Sequence, residues 1–225
     1  MASERVSQEE LTKRRTPSEL RNWLIQKVDQ ICSTDEGMQD FRLQKGLVKQ
    51  LVEEIRPLAI FEMHKYADNN QILLQPVIGK PYDAVVTDLR TNPDSLAYIE
   101  ITQSHEGEND YWRRCELLKK GYVFSYAPVI KTSLKKPKMQ VSIPPMATSV
   151  EERVKNELER ILAAAKRKAG KLYPSNTYLI IFFDDTPPFQ EVTDNVKLDD
   201  FVSKNILNLD LRFSALYLVG REVFR

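Results

Sequence analysis

The stretch from Gln71 to His105, QILLQPVIGKPYDAVVTDLRTNPDSLAYIEITQSH, narrows what this chain can fold into more than any other. It sets acids inside segments that otherwise read as buried strands. Tyr82 to Thr87 and Leu96 to Thr102 are β-branched and aromatic, and the turn-forming run Arg90 to Asp94 separates them, which predicts two neighbouring strands joined by a short loop. Side chains alternate along a strand, so Tyr98, Glu100 and Thr102 share one face while Ala97, Ile99 and Ile101 share the other. Asp83 lies in the first strand of the pair and Glu100 in the second. Ionised carboxylates are rarely buried without a partner, and two that converge repel each other. A divalent cation between them would answer both difficulties.

Around this pair the chain alternates helical and strand patterns. The run Thr16-Pro17-Ser18-Glu19 ahead of Leu20, Trp23, Leu24 and Val28 predicts a capped helix, and residues 1–40 read as an N-terminal helical appendage to a domain spanning 41–225. From Phe41 to about Tyr66 the pattern is helical, with Leu47, Leu51, Ile55, Leu58 and Glu62 on one side. Glu62 thereby points into an apolar face, although Pro57 loosens the register across it. A carboxylate paired with a lysine at the core rim is the alternative to a ligand role for Glu62.

Beyond the hairpin, 104–149 reads as an insertion holding a basic helix, Asp110 to Lys120, and two looser strands, Val123 to Tyr126 and Met139 to Ile143. Ser149-Val150-Glu151-Glu152 has the form of a capping box opening a helix to about Ala169. Tyr178 to Phe183 is an unbroken apolar run of strand length, expected in the middle of the sheet and covered on both faces. Asp184 and Asp185 after it, leading into Thr186-Pro187-Pro188, read as a solvated turn, with cation binding as the alternative. A helix over Leu198 to Leu207 and a strand over Phe213 to Val219 complete the order.

An aspartate, a hairpin, then an acid two residues before a polar group resembles the PD-(D/E)XK nuclease-like superfamily, here as Pro81-Tyr82-Asp83 and Glu100-Ile101-Thr102. The resemblance covers roughly residues 44–219. It implies an α/β restriction-endonuclease-like αβββαβ core, a mixed central sheet flanked by helices. It also implies Mg²⁺ or Mn²⁺ held by Asp83 and Glu100, with Glu62 as the acid that the preceding helix often adds, in preference to Glu53 or Glu54. Thr102 stands where that family carries a lysine, and one residue separates Pro81 from Asp83. A lysine migrated to a neighbouring element, Lys65 or Lys80, is the expected substitute, and Thr102 or Gln103 could also orient the water.

The activity so implied is metal-dependent hydrolysis of phosphodiester bonds in DNA or RNA. The competing expectation is a catalytically inactive nuclease-fold protein that binds nucleic acid or another protein. Net charge is +1, so no global field draws nucleic acid and any basic footprint is local. The candidates are Arg113 and Arg114 on the basic helix and Lys131, Lys135, Lys136 and Lys138 in the loop that follows. The chain has no glycine-rich phosphate loop and no Gly-x-Ser-x-Gly elbow. Two cysteines without metal spacing, a polar start and no long apolar run lead to the expectation of a cytoplasmic protein without a membrane partner.

Overall fold

The computed structural model describes residues 5–124, 127–132, 140–185, 189 and 192–225. Among these, five strands form one mixed sheet in the order β1-β2-β3-β6-β7. β1 (Ile72–Pro76), β2 (Ala84–Asp88) and β3 (Ser95–Gln103) make an antiparallel meander, and β6 (Thr177–Phe182) and β7 (Ala215–Val219) continue the sheet parallel to β3. β4 (Ile130–Lys131) and β5 (Val141–Ser142) pair as a separate ribbon. The helices are α1 (Gln8–Thr12), α2 (Pro17–Cys32), α3 (Asp35–Leu43), α4 (Val48–Gln50), α5 (Arg56–Lys65), α6 (Glu108–Lys120), α7 (Val150–Lys168) and α8 (Val192–Phe201).

β6 explains why the sheet needs helices on both sides. Leu179, Ile180 and Ile181 are consecutive and all fully buried, and burying each such side chain is worth about 1.5–3 kcal/mol. Because successive side chains alternate, the run feeds two cores. Ile180 joins Ile99, Ile101, Leu20 and Phe61 beneath α2 and α5, whereas Leu179 and Ile181 join Ile161, Ala165 and Leu198 beneath α7 and α8. Leu216 to Val219 of β7 line the other flank of β6, so the apolar run is an interior strand, as its composition predicts.

The N-terminal helices are packed onto this frame. Thr16 and Glu19 form a reciprocal capping box with Pro17 in the first turn of α2. Val6, Leu11, Leu20 and Ile31 share the core with Leu74 and Phe61. Arg15 exchanges two backbone hydrogen bonds with Leu74, at 2.9 and 2.7 Å, which covers the open edge of β1. Its guanidinium stacks on Trp23, 4.0 Å from the ring centre.

The helix expected over 41–66 is interrupted twice. α3 ends at Gln44, whose left-handed backbone (φ 53°) together with Gly46 (φ 56°) turns the chain before α4. Leu51–Ile55 then winds as a π-helical turn immediately before Pro57. Proline lacks an N–H, so the carbonyl of Glu53 four residues earlier has no α-helical donor, and the side-chain amide of Gln103 donates to it at 2.6 Å. In the inserted segment the strand expected over 123–126 is absent at 123–124, and 125–126 lie outside the described residues.

Candidate active site

The strand acids do meet. Asp83 precedes β2, and the backbone leaves regular register there. Ala84 is paired with Ile99, yet the Asp83 amide also donates to the Ile99 carbonyl at 2.7 Å, the two-against-one arrangement of a bulge. The Asp83 carbonyl turns to the Val77 amide at 2.9 Å, and its side chain takes over the ladder, with Oδ2 accepting the Ile101 N–H at 2.6 Å. That amide directly follows Glu100, so the two carboxylates are neighbours. Burial, then repulsion from Glu100, pushes the Asp83 carboxyl up to about 6.

Glu100 is 7% exposed and faces the second core. Its Oε1 accepts an ion-paired hydrogen bond from Lys168 Nζ in the last turn of α7, and the Tyr173 hydroxyl donates to the same oxygen at 3.5 Å. Burial first and the Glu100 charge next raise the Tyr173 phenol, which keeps it a donor. The last turn of α7 is fastened to β3 a second time, by Arg167 donating to the Gln103 carbonyl at 2.7 Å.

A third acid approaches from the helical side, and it is Glu54. Burial pushes its carboxyl up to about 7, helped by the negative charges of Asp83, Glu53 and Glu100. Glu54, next to the core residue Ile55, feels the charges of Asp83 and Glu100, and Glu62 does not. The helical count that set Glu62 on one side with Leu51, Ile55 and Leu58 holds across Pro57, since all four are buried, but that side is the hydrophobic core and not the site. Glu62 is wholly buried, with neither carboxylate oxygen hydrogen-bonded, between residues such as Phe61 and Leu58 of α5. Burial holds its carboxyl well above the usual range, and Asp83 and Glu100 are not among the charges acting on it.

The lysine expected to replace the strand lysine is also a different one. Lys65 donates to the Tyr217 hydroxyl and lies over the Tyr178 and Tyr217 rings at 5.4 and 4.7 Å, away from the acids. Lys80 is exposed in the β1–β2 loop. Lys168 is the amine that reaches Glu100. In the sequence it reads as one of three cations, Lys166, Arg167 and Lys168, complementing a helix C-terminus, and its distance along the chain from the hairpin hid it. Thr102 is buried beside Ile181 on the Glu100 side of β3, and the Gln103 amide is engaged by Glu53.

The expected nucleic-acid contacts divide. Arg113 is 6% exposed and engaged by the Ala127 carbonyl, Asp110 and Glu106, so its charge is used inside the fold. Lys131 pairs with Glu108 at 2.8 Å. Arg114 lines a cavity next to the site. Lys135, Lys136 and Lys138 lie outside the described residues. Asp185, expected in a solvated turn, is 2% exposed and accepts the Glu222 and Val223 amides at 2.7 and 2.9 Å, closing the turn after β7.

Among the described residues, no three His, Cys, Asp or Glu side chains converge closely enough to enclose a metal ion by themselves. Magnesium typically takes one or two protein carboxylates and completes its shell with water and substrate phosphate. Asp83 and Glu100 offer that smaller set, two neighbouring carboxylates of which Glu100 is already paired with Lys168. Among the described residues no helix is long and apolar enough to cross a membrane. No family model, curated protein or solved structure matches the chain.

Proposed function

We propose that this chain is a PD-(D/E)XK-like phosphodiesterase acting on nucleic acid, with Asp83, Glu100 and Glu54 as its acidic centre and Lys168 as the migrated lysine. The carrying observation is that the acids of two adjacent strands and one from the helical segment before them repel each other, with an ammonium in contact with Glu100. The order of elements, α5, β1, β2, β3, α7, β6, α8, β7 with an insertion after β3, supports a restriction-endonuclease-like core.

In this reading Asp83 and Glu100 would hold Mg²⁺ or Mn²⁺ through hard oxygen ligands, and the ion when bound supplies Lewis-acid polarisation of the phosphate and a more acidic water. The chain's own contributions are positional. The Ile101 amide fixes the orientation of the Asp83 carboxylate, and the Tyr173 hydroxyl and Lys168 fix that of Glu100. Glu54 is half protonated near neutral pH, which suits a group that takes a proton from water and returns it. Lys168 places a positive charge where the phosphate gains negative charge.

Two observations favour a second reading, a nuclease-like fold that binds without cleaving. Thr102 occupies the place of the motif lysine, and Lys168 already neutralises Glu100. Cleavage of single- and double-stranded DNA and RNA by the purified protein in Mg²⁺ or Mn²⁺ separates the two. Activity abolished by chelator and by both Asp83→Asn and Glu100→Gln supports hydrolysis. Substrate retention without cleavage in either metal supports the binding protein.

A further inference from the structure

A cavity of about 550 Å³ opens at the carboxyl ends of β3 and β6, the end of an α/β sheet where ligands bind. Gln103 and Ser104 form part of its wall, three and four residues beyond Glu100, which is about 10 Å along a strand. Five arginines line it, but they are not equivalent. Arg113 is tied to Asp110 and Glu106, and Arg160 to Glu106 and Glu157. Among the described residues, Arg56, Arg114 and Arg221 form no ion pair with a carboxylate. Arg56 and Arg221 are close enough to repel each other, and the Nε of Arg114 is buried without a hydrogen-bond partner.

Of the acids in the wall, Glu53 lies close enough to Arg114 to feel its charge, but it is bound more directly by other cations. Glu53 is engaged by His105 at 3.6 Å and by Lys49 at 3.7 Å, and Glu157 by Ser104 and Arg160. Asp184 is exposed at the rim. Like charges held together in a concave, partly desolvated place call for an anion, and planar guanidinium groups match the oxygens of a phosphate group. The apolar part of the wall, Val52, Leu117 and Phe182, offers a surface for a ring or a sugar.

We infer that this cavity binds a phosphate monoester, with Arg56, Arg114 and Arg221 as its phosphate contacts. The cavity adjoins the acidic centre, but none of Asp83, Glu100 and Glu54 lines it, and it does not depend on that centre being catalytic. Its two natural sources are a free nucleotide and the terminal phosphate of a nucleic-acid strand.

Calorimetric titration tests this with inorganic phosphate, a nucleoside 5′-monophosphate, and one oligonucleotide carrying either a 5′-phosphate or a 5′-hydroxyl. The parent protein is expected to bind phosphate, with about tenfold or greater loss in Arg221→Gln and in Arg56→Gln, as for a lost charge-assisted hydrogen bond. Arg56→Lys, which keeps the charge, is expected to retain part of the affinity. Asp83→Asn is expected to bind phosphate as the parent does, which separates this site from the acidic centre. A phosphorylated oligonucleotide preferred over its hydroxyl form identifies a strand end, and a mononucleotide bound more tightly than either identifies a free nucleotide. Absence of phosphate binding by the parent, or affinity unchanged in both glutamine variants, overturns the inference.

Discussion

Lys168→Gln is the perturbation that most sharply separates a structural ion pair from a site for a cation. The Glu100 side chain is 9% exposed and that of Lys168 17%, so the pair is largely out of water. Removing the ammonium leaves Glu100 with a single distant donor, the Tyr173 hydroxyl at 3.5 Å, while the Asp83 charge remains beside it. Breaking a buried pair from one side costs about 3–5 kcal/mol, and the partial access of Lys168 places this case near the lower figure, about 3 kcal/mol. The double variant Lys168→Gln/Glu100→Gln removes the orphaned charge and is expected to recover more than half of that loss. Urea denaturation at pH 7.5 measures both, with and without Mg²⁺. If the two carboxylates accept a cation, the ion takes the place of the ammonium, so magnesium should stabilise Lys168→Gln by about 2.7 kcal/mol at a hundredfold excess over the variant's Kd, and the parent by less at the same concentration. Cleavage should fall in the same variant although the metal binds more tightly. A loss below about 0.5 kcal/mol, or one that the double variant does not relieve, would refute the reasoning.

Three other perturbations test neighbouring parts of the account. Asp83 and Glu54 have folded values of about 6 and 7 against ordinary values of 3.8 and 4.5. The folded state therefore holds their protons more tightly, and stability should decline as pH rises from the unfolded values through about 7. Glu54→Gln should flatten that decline by about 2 kcal/mol between pH 5 and 8 in urea titrations, after allowance for its partial exposure. Glu62→Leu replaces a buried carboxyl that has no hydrogen-bond partner with an apolar group, so thermal denaturation should show it neutral or more stable by about 1–2 kcal/mol, with metal binding unchanged. At Gly220 a Cβ would lie 2.8 Å from the Asp185 Cβ and closer still to its carboxyl group, so Gly220→Ala should destabilise by about 3 kcal/mol in the same assay.

The sheet was legible because its signals are local and redundant. Alternation in 96–102, the apolar run 178–183 and the turn residues 90–94 each specify one element, and they agree with one another. Alternation and a short hairpin put Asp83 and Glu100 on neighbouring segments, while the bulge before β2 that turns the Asp83 carboxylate onto the Ile101 amide was not legible. Periodicity did place Leu51, Ile55, Leu58 and Glu62 on one buried face, but that face is core, and nothing in the spacing singled out Glu54 beside it as the acid that Asp83 and Glu100 repel. Lys168 reaches Glu100 across 68 residues of sequence, through the angle at which α7 lies on β3, which no spacing encodes. Arg113 looked like a surface cation because its acidic partners, Asp110 three residues away and Glu106 seven away, read as ordinary helix-start acids.

Titration of Mn²⁺ into the parent protein, Asp83→Asn and Glu100→Gln tests most directly whether these carboxylates form one cation site, with circular dichroism confirming that each variant is folded. The account predicts a saturable site in the parent that both substitutions abolish or weaken at least tenfold, each removing one of two ligands. Equal affinity in all three proteins would contradict it.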